Sequence, residues 1–190
     1  MARNGILGAL ATFALDALRS ATRSAVPQPS RGGSSSAAAP PRDAGRARLR
    51  PSRGVQTVEL RPEEVRGLRL SYAPSPDGQP DAGEVVWTWV PYAENDGRGK
   101  DRPVLVIARE SAQRVYAVKL TSKPKDGDRE FLSIGTGQWD DSGRPSWVDL
   151  DQLYSVHVEG MRREAAALDR ERFVQVARAL QRLHGWNAGE

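Results

Sequence analysis

The segment Arg98–Glu110, RGKDRPVLVIARE, joins a charged stretch directly to an apolar run. The run Val104–Ile107 contains no polar residue, which is typical of a strand that is buried on both faces. Pro103 restricts its own φ and biases Arg102 towards an extended conformation. The segment therefore predicts a central strand at Pro103–Arg109, preceded by a charged loop from which Arg102 leaves in a defined direction.

Other strands are predicted where β-branched and aromatic residues fill short segments between turn residues. These segments are Glu84–Val90, Arg114–Thr121, Ser146–Leu150 and Tyr154–Val158, with an edge strand near Leu68–Tyr72 and a helical turn at Pro62–Val65. Alternation within the second of them places Val115, Ala117 and Lys119 on one face and Tyr116, Val118 and Leu120 on the other.

The chain ends with a predicted helix. Asp169 is a favourable N-cap, and Gly185 is a favourable residue for ending a helix. One helical face is apolar and comprises Phe173, Val176, Ala177, Leu180 and Leu183. Short strands followed by one terminal helix predict an α+β fold, namely a compact, partly open small barrel with a helix packed against it.

The composition excludes several classes of site. The 190-residue chain has no cysteine and only two histidines, His157 and His184, so disulfides, thiol nucleophiles and zinc or haem centres are not expected. The sequence contains no P-loop, dinucleotide fingerprint or Ser-His-Asp arrangement. We therefore expect neither a metal nor a cofactor.

The net charge of +4 is unevenly distributed. Residues 1–54 contain nine arginines and two acids, a net charge of +7, whereas residues 55–190 carry −3. The high isoelectric point is therefore a property of the N-terminal region. Nucleic-acid binding by the rest of the chain would have to rest on a local cluster of basic residues.

Hydrophobic periodicity and local composition predict four segments in the chain. Residues 1–20 form an amphipathic helix, 21–54 a disordered basic linker rich in Pro, Ser, Ala and Gly, 55–82 a connecting segment, and 83–186 the main domain. The helical stripe in residues 5–20 can pack on its own domain or a neighbouring chain, or make weak contact with a membrane surface. A signal peptide or an organellar transit peptide is a further interpretation of this N-terminal segment.

Four short motifs occur in order within the main domain: GEVVW at Gly83–Trp87, RPVLVI at Arg102–Ile107, LTS at Leu120–Ser122 and DQL at Asp151–Leu153. In this order and at these spacings the sequence resembles the PemK/MazF family of type II toxins. The resemblance extends from about Gly83 to the terminal helix.

The resemblance implies an SH3-like small β-barrel with appended helices, a homodimer, a cytoplasmic location and an antitoxin partner. It implies a metal-independent endoribonuclease acting on single-stranded RNA, in which Arg102 matches the catalytic arginine and Thr121 the catalytic hydroxyl residue. The PemK branch of the family has an acid two residues after that arginine, where this sequence has Val104.

The chemistry of RNA cleavage is compatible with these residues. RNA carries its own nucleophile, the 2′-OH, so the protein needs only to orient the phosphate and stabilise its developing charge. A guanidinium such as that of Arg102 can bind two phosphate oxygens at once, and Thr121 can hydrogen-bond the scissile phosphate. The expected RNA-binding residues around them are Arg98, Lys100, Lys119, Ser122 and Lys123.

Some alternatives stay open at this point. Arg102 can instead form a structural salt bridge with Asp101 or Asp151. The tryptophans Trp87, Trp89, Trp139 and Trp147 can stack on bases, although most are expected in the core or an interface. A competing function is a non-catalytic barrel module that binds protein or nucleic acid and is tethered by the N-terminal helix. A third is a DNA-binding autoregulator acting together with its antitoxin.

Overall fold

The computed structural model describes residues 54–75, 78–92, 94 and 96–189, so the predicted helix at 1–20 and the linker up to residue 53 lie outside the described residues. Within them the chain forms nine strands and one α-helix. In chain order these are β1 Val58–Leu60, β2 Arg69–Leu70, β3 Glu84–Pro91, β4 Gly99–Arg109, β5 Arg114–Thr121, β6 Phe131–Gly135, β7 Ser146–His157, β8 Met161–Ala167, α1 Arg170–His184 and β9 Asn187–Ala188. Two 3₁₀ turns lie at Pro62–Glu64 and Val158–Gly160.

Seven strands form one antiparallel sheet. Its order is β1-β7-β5-β4-β3-β8, and β6 pairs with a different part of β7. The remaining two strands, β2 and β9, form a small parallel pair. The α+β class with a C-terminal helix is confirmed. Backbone pairing among the described strands does not close this sheet into a barrel, because its order begins and ends on different strands.

The predicted central strand is confirmed, but it begins earlier than expected. Residues Val104–Ala108 of β4 are buried between β3 and β5, and each large aliphatic side chain there stabilises the fold by about 2 kcal/mol. The strand starts at Gly99 rather than Pro103. Lys100, Asp101 and Arg102 therefore belong to the strand and not to the preceding loop, because the ladder with β3 continues to the Gly99–Pro91 pair.

The two faces of the sheet pack into different clusters. One cluster, which includes Leu105 and Ile107, lies against α1 through Phe173 and Leu180. The other lies on the opposite face and contains Val86, Val90, Val104, Val106, Val115, Ala117, Tyr154 and Val156. The predicted alternation in β5 is confirmed, since Val115 and Ala117 belong to the second cluster and Val118 and Leu120 to the first. We call the face of the second cluster the inner face.

The two predicted strands at Ser146–Leu150 and Tyr154–Val158 form a single strand, β7, in the structure. Its pairing with β5 shifts between Val118 and Leu120, so the intervening residues of β7 bulge out of register. The sequence pattern placed a break there because the bulge interrupts the alternation of apolar residues. Strands β1, β6, β8 and β9 were not predicted, since short or charged segments such as MRREAAA lack that alternation.

The terminal helix is confirmed in both of its caps. The Asp169 carboxylate accepts a hydrogen bond from the Arg172 backbone at 2.9 Å, and Gly185 ends α1 with a φ of 71°. Leu183 was predicted to share the apolar face of this helix, but its side chain is 51% exposed. None of the helices in the described part of the chain has the length and apolar character needed to cross a bilayer.

The residues before β3 belong to the same packed unit, in which β1 joins the large sheet and β2 pairs with β9. Strand β1 pairs with β7, and Leu70 of β2 is fully buried. The indole of Trp186 donates a hydrogen bond to the Val65 carbonyl at 2.8 Å. The guanidinium of Arg114 donates to the carbonyl oxygens of Gly54 and Gln56 at 3.2 and 2.9 Å. These contacts fix the path of residues 54–70 along the sheet.

Candidate functional site

The side chains of Arg102 and Thr121 project from the same face of the sheet and belong to neighbouring strands. Val104 of β4 pairs with Lys119 of β5 in antiparallel register. Two residues beyond that pair are Arg102 on one strand and Thr121 on the other. Since side chains alternate with a period of two, both point to the inner face. The structure thus brings together the two residues that were predicted to be catalytic.

The Arg102 guanidinium is half-buried and makes no hydrogen bond or ion pair with any residue that the structure describes. Asp101, a proposed salt-bridge partner, instead pairs with Arg162 at 3.4 Å. Asp101 is next to Arg102 in β4 and therefore faces the opposite side of the sheet. Arg102 keeps its donors available for an anion.

Thr121 is held at the end of β5. Its Oγ1 accepts a hydrogen bond from the backbone N–H of Lys123 at 3.2 Å. Because a hydroxyl can accept and donate at once, this contact orients the side chain and leaves its proton available to a ligand. Thr121 lies opposite Trp147 of β7, which is buried. The strand end therefore packs against a buried residue of β7, and Thr121 itself is half-buried.

Lys119 does not present a free ammonium group on this face. It pairs with the carboxylate of Asp149 at 3.2 Å and donates a hydrogen bond to the side-chain oxygen of Gln152. The Tyr154 hydroxyl donates to the same Gln152 oxygen at 3.0 Å. Since Lys119 can only donate, the Gln152 oxygen must face it, and the amide NH₂ points away from the pair. Lys119 acts within this network as an internal counter-charge to Asp149.

The Tyr154 ring is buried, and this burial raises the pKa of its hydroxyl well above the ordinary value. The negative charges of Glu59 and Asp149 raise this pKa further, whereas the positive charge of Arg102 lowers it. The hydroxyl therefore stays protonated near neutral pH and remains a hydrogen-bond donor. Glu59 and Asp149 thus oppose Arg102 in their effect on this hydroxyl.

The other predicted RNA-binding residues lie around this face and differ in their exposure and in their ion-pair partners. Arg98 is exposed but pairs with Asp96 at 2.7 Å. Lys100 and Lys123 are exposed, and Ser122 is half-buried. Lys100 and Lys123 can contact a phosphate backbone without losing an ion pair with the described residues.

The remaining aromatic and histidine residues are mainly structural. Trp139 and Trp147 are buried. Trp87 and Trp89 are partly exposed on the face of the sheet opposite to the inner face. The Arg162 guanidinium lies 5.3 Å from the centroid of the Trp87 ring. His157 accepts a hydrogen bond from the Glu159 backbone at 3.2 Å, which is a capping role. Among the described residues, no three acidic or histidine side chains come together in a group that could hold a metal ion.

Three side chains of this face were not singled out from the sequence as site residues: Glu59, Gln152 and Tyr154. Gln152 and Tyr154 lie beside the bulge in β7, which no local pattern predicts. Glu59 belongs to β1, which was assigned to a connecting segment. The DQL motif was the only signal that pointed to this part of the chain.

Comparisons with known proteins identify a family for the larger part of the chain. The sequence model of the family described as PemK-like, MazF-like toxin of type II toxin-antitoxin system matches residues 81–184, which is more than half of the chain. That range contains Arg102, Thr121 and the β7 bulge. No protein with a curated description matches the chain.

Several solved structures are similar to this chain at low sequence identity. A MazE–MazF complex from Deinococcus radiodurans (Form II) is 21% identical, with a TM-score of 0.44, over 56% of this chain and 96% of that chain. MazF from the same organism (Form I) is 23% identical, with a TM-score of 0.43, over 56% and 96%. The Mycobacterium tuberculosis toxin MazF-mt6 is 18% identical, with a TM-score of 0.42, over 55% and 98%.

Proposed function

The chain belongs to the family of PemK-like and MazF-like toxins of type II toxin-antitoxin systems, and from this premise we propose that it is a metal-independent endoribonuclease acting on single-stranded RNA. The observation that carries the proposal is the placement of Arg102 and Thr121 on one face of two neighbouring strands. The guanidinium there has no partner among the described residues, and the hydroxyl is oriented by the Lys123 backbone.

In the proposed mechanism the RNA supplies the nucleophile. The 2′-oxygen attacks the adjacent phosphorus, the bond from phosphorus to the 5′-oxygen breaks, and a 2′,3′-cyclic phosphate and a 5′-hydroxyl result. Arg102 binds two non-bridging oxygens and stabilises the charge that accumulates on them in the transition state. Thr121 donates a hydrogen bond to the same phosphate and holds it in line for attack.

The exposed cations Lys100 and Lys123 bind the phosphates that flank the scissile one, together with Arg98 and Ser122. Arg98 can exchange its exposed pair with Asp96 for a phosphate at little cost, because such surface pairs contribute less than about 1 kcal/mol. Lys119 has a different role in this scheme. Its ammonium holds Asp149 and Gln152 in place beneath the bound strand.

Further parts of the proposal follow from membership of a toxin–antitoxin family. We propose an SH3-like arrangement of the curled sheet, a homodimer, a cytoplasmic location, and a cognate antitoxin that blocks the inner face. An antitoxin that reaches this face would have to offer a carboxylate or another anion to Arg102. The size of the purified protein in solution, measured by light scattering with and without the antitoxin, tests the assembly.

The catalytic proposal is tested with the purified full-length chain, mixed-sequence single-stranded RNA and excess EDTA. Arg102→Ala is compared with Arg178→Ala, which removes an exposed arginine from the far surface of α1. The wild type and Arg178→Ala should produce discrete fragments with cyclic phosphate ends. Arg102→Ala should cleave about 10²–10³-fold more slowly, with an unchanged melting temperature because it has no internal partner.

The non-catalytic module predicts a different result. All three proteins would then leave the RNA intact while still binding it, or would not bind it at all. Intact RNA with a folded wild-type protein contradicts the nuclease proposal. Equal cleavage by wild type and Arg102→Ala would leave a nuclease but remove Arg102 from its centre.

A further inference from the structure

Strand β1 brings a carboxylate to the inner face from outside the segment that matches the toxin family. Glu59 pairs directly with Tyr154 in the antiparallel ladder between β1 and β7. Directly opposed residues of a ladder point to the same face, so Glu59 shares the inner face with the Tyr154 ring. Glu59 precedes the family match, which begins at residue 81.

Curling of the sheet brings β1 close to the strand opposite Arg102. The hydroxyls of Thr57 and Thr88 lie 2.8 Å apart, and Thr88 pairs with Arg102 in the ladder between β3 and β4. Each of the four strand pairs from β1 to β3 is antiparallel, so these two strands run in the same direction. Glu59 therefore lies about 7 Å beyond Thr57 along β1, at the level of Val90, which is the next inner-face residue of β3 after Thr88.

Glu59 presents an exposed carboxylate on this face. Its side chain is exposed, and it forms no ion pair with the described residues. Asp149 is buried, pairs with Lys119 and accepts a hydrogen bond from the Asp151 backbone. Asp101 points to the other face and pairs with Arg162. Neither of these acids is free to accept a proton from bound RNA.

We propose that Glu59 is the general base that removes the proton from the 2′-OH, while Arg102 stabilises the phosphate under attack. This inference rests on the proposed nuclease activity and adds a catalytic residue to it. It also assigns a function to the segment before the family domain: that segment completes the active site. The guanidinium of Arg114, bound to the carbonyls of Gly54 and Gln56, positions β1 for this purpose.

The proton and electron pairs balance in this step. The Glu59 carboxylate accepts the 2′-OH proton, and the oxygen's electron pair forms the new bond to phosphorus. The bond from phosphorus to the 5′-oxygen breaks, and that oxygen takes a proton from water in the open site. The products are a 2′,3′-cyclic phosphate and a 5′-hydroxyl, and Glu59 returns its proton to solvent before the next turnover.

The test compares Glu59→Gln with Glu63→Gln in the full-length protein. Glu63 is a matched control because it is an exposed glutamate in the same segment. Initial rates are measured between pH 4 and 9 with a fluorescent single-stranded RNA in excess EDTA. Glu59→Gln should lower kcat about 10²–10⁴-fold, with little change in KM and with loss of the acidic limb of the pH profile. Glu63→Gln should retain both.

Two further measurements separate a chemical role from a structural one. Affinity for an uncleavable RNA with 2′-deoxy positions should be unchanged or higher in Glu59→Gln, because a negative charge has been removed. Added formate should restore part of the rate of Glu59→Ala by replacing the missing carboxylate. A slow variant with weakened binding and no formate rescue would overturn the inference and assign Glu59 a structural role.

The outcomes also separate this inference from the function on which it rests. Cleavage by Glu59→Gln at the wild-type rate, with Arg102→Ala impaired, would overturn the role of Glu59 and keep the nuclease. A folded wild type that leaves all RNA intact would overturn both.

Discussion

The hydroxyl of Thr57 lies 2.8 Å from that of Thr88, although 31 positions separate the two residues in the chain. Thr88 also lies 3.0 Å from the Gly160 carbonyl, to which it donates. Since a hydroxyl has one proton, Thr57 must be the donor between the two threonines. This chain of hydrogen bonds connects the segment before β1, strand β3 and the turn before β8. It holds the curled sheet together where backbone pairing is absent.

Thr88→Val should destabilise the protein by about 1–3 kcal/mol, because it keeps the side-chain shape and leaves the Thr57 hydroxyl and the Gly160 carbonyl without their partner. Urea unfolding monitored by tryptophan fluorescence measures this change. Thr136→Val, at an exposed position, is the control and should have little effect. Equal midpoints for both variants would show that these hydrogen bonds contribute nothing to the curled sheet.

Tyr154→Phe should change how stability depends on alkaline pH. The pKa of Tyr154 is raised in the folded state from its ordinary value of 10.0. The unfolded chain therefore loses this proton first as the pH rises above about 10. The stabilisation from the protonated hydroxyl is fully present below that pH and decreases above it, by up to about 1.4 kcal/mol per pH unit.

The measurement is the free energy of unfolding of wild type and Tyr154→Phe between pH 8 and 11. The difference between the two proteins should be constant up to about pH 10 and should then shrink, because phenylalanine has no proton to lose. Titration of lysines is common to both proteins and cancels in the difference. Parallel curves over the whole range would contradict the raised pKa.

Thr121→Ala should lower the rate of RNA cleavage about 10–10²-fold, whereas Thr121→Ser should keep most of it. The reason is that serine retains both the hydroxyl that accepts from the Lys123 backbone and the proton offered to the phosphate. Single-turnover rates on the same RNA measure the effect, and Thr136→Ala serves as the exposed control. A serine variant as slow as the alanine variant would show that the methyl group, and therefore packing, is what matters.

Local sequence patterns predicted much of the fold. The errors concern segments whose structure depends on pairing between strands. The run Val104–Ile107 and the capped helix after Asp169 were predicted correctly, because each has a strong period or a specific cap. The start of β4 was misplaced, since charged residues at the open end of a ladder look like a loop. The β7 bulge was read as a break between two strands.

The candidate site also combines residues that the sequence identified with contacts that only the fold determines. Arg102 and Thr121 were identified from motifs within single strands, and their common face follows from a register that only the fold determines. Lys119 was expected to bind RNA directly, but tertiary contacts give it Asp149 as a partner. That contact depends on the β7 bulge, which no local sequence signal predicts.

The amino-acid sequence by itself determined the period and burial of the central strand, the ends of the helix, and the motifs that identify the family. These are properties of residues close together in the chain, where alternation, capping and backbone restriction act locally. Tertiary structure alone decided that β1 returns to the sheet and places Glu59 beside Tyr154. Such placement depends on pairing across about 95 residues between β1 and β7, and the free energy for it comes from burial and hydrogen bonds that exist only once the sheet has formed.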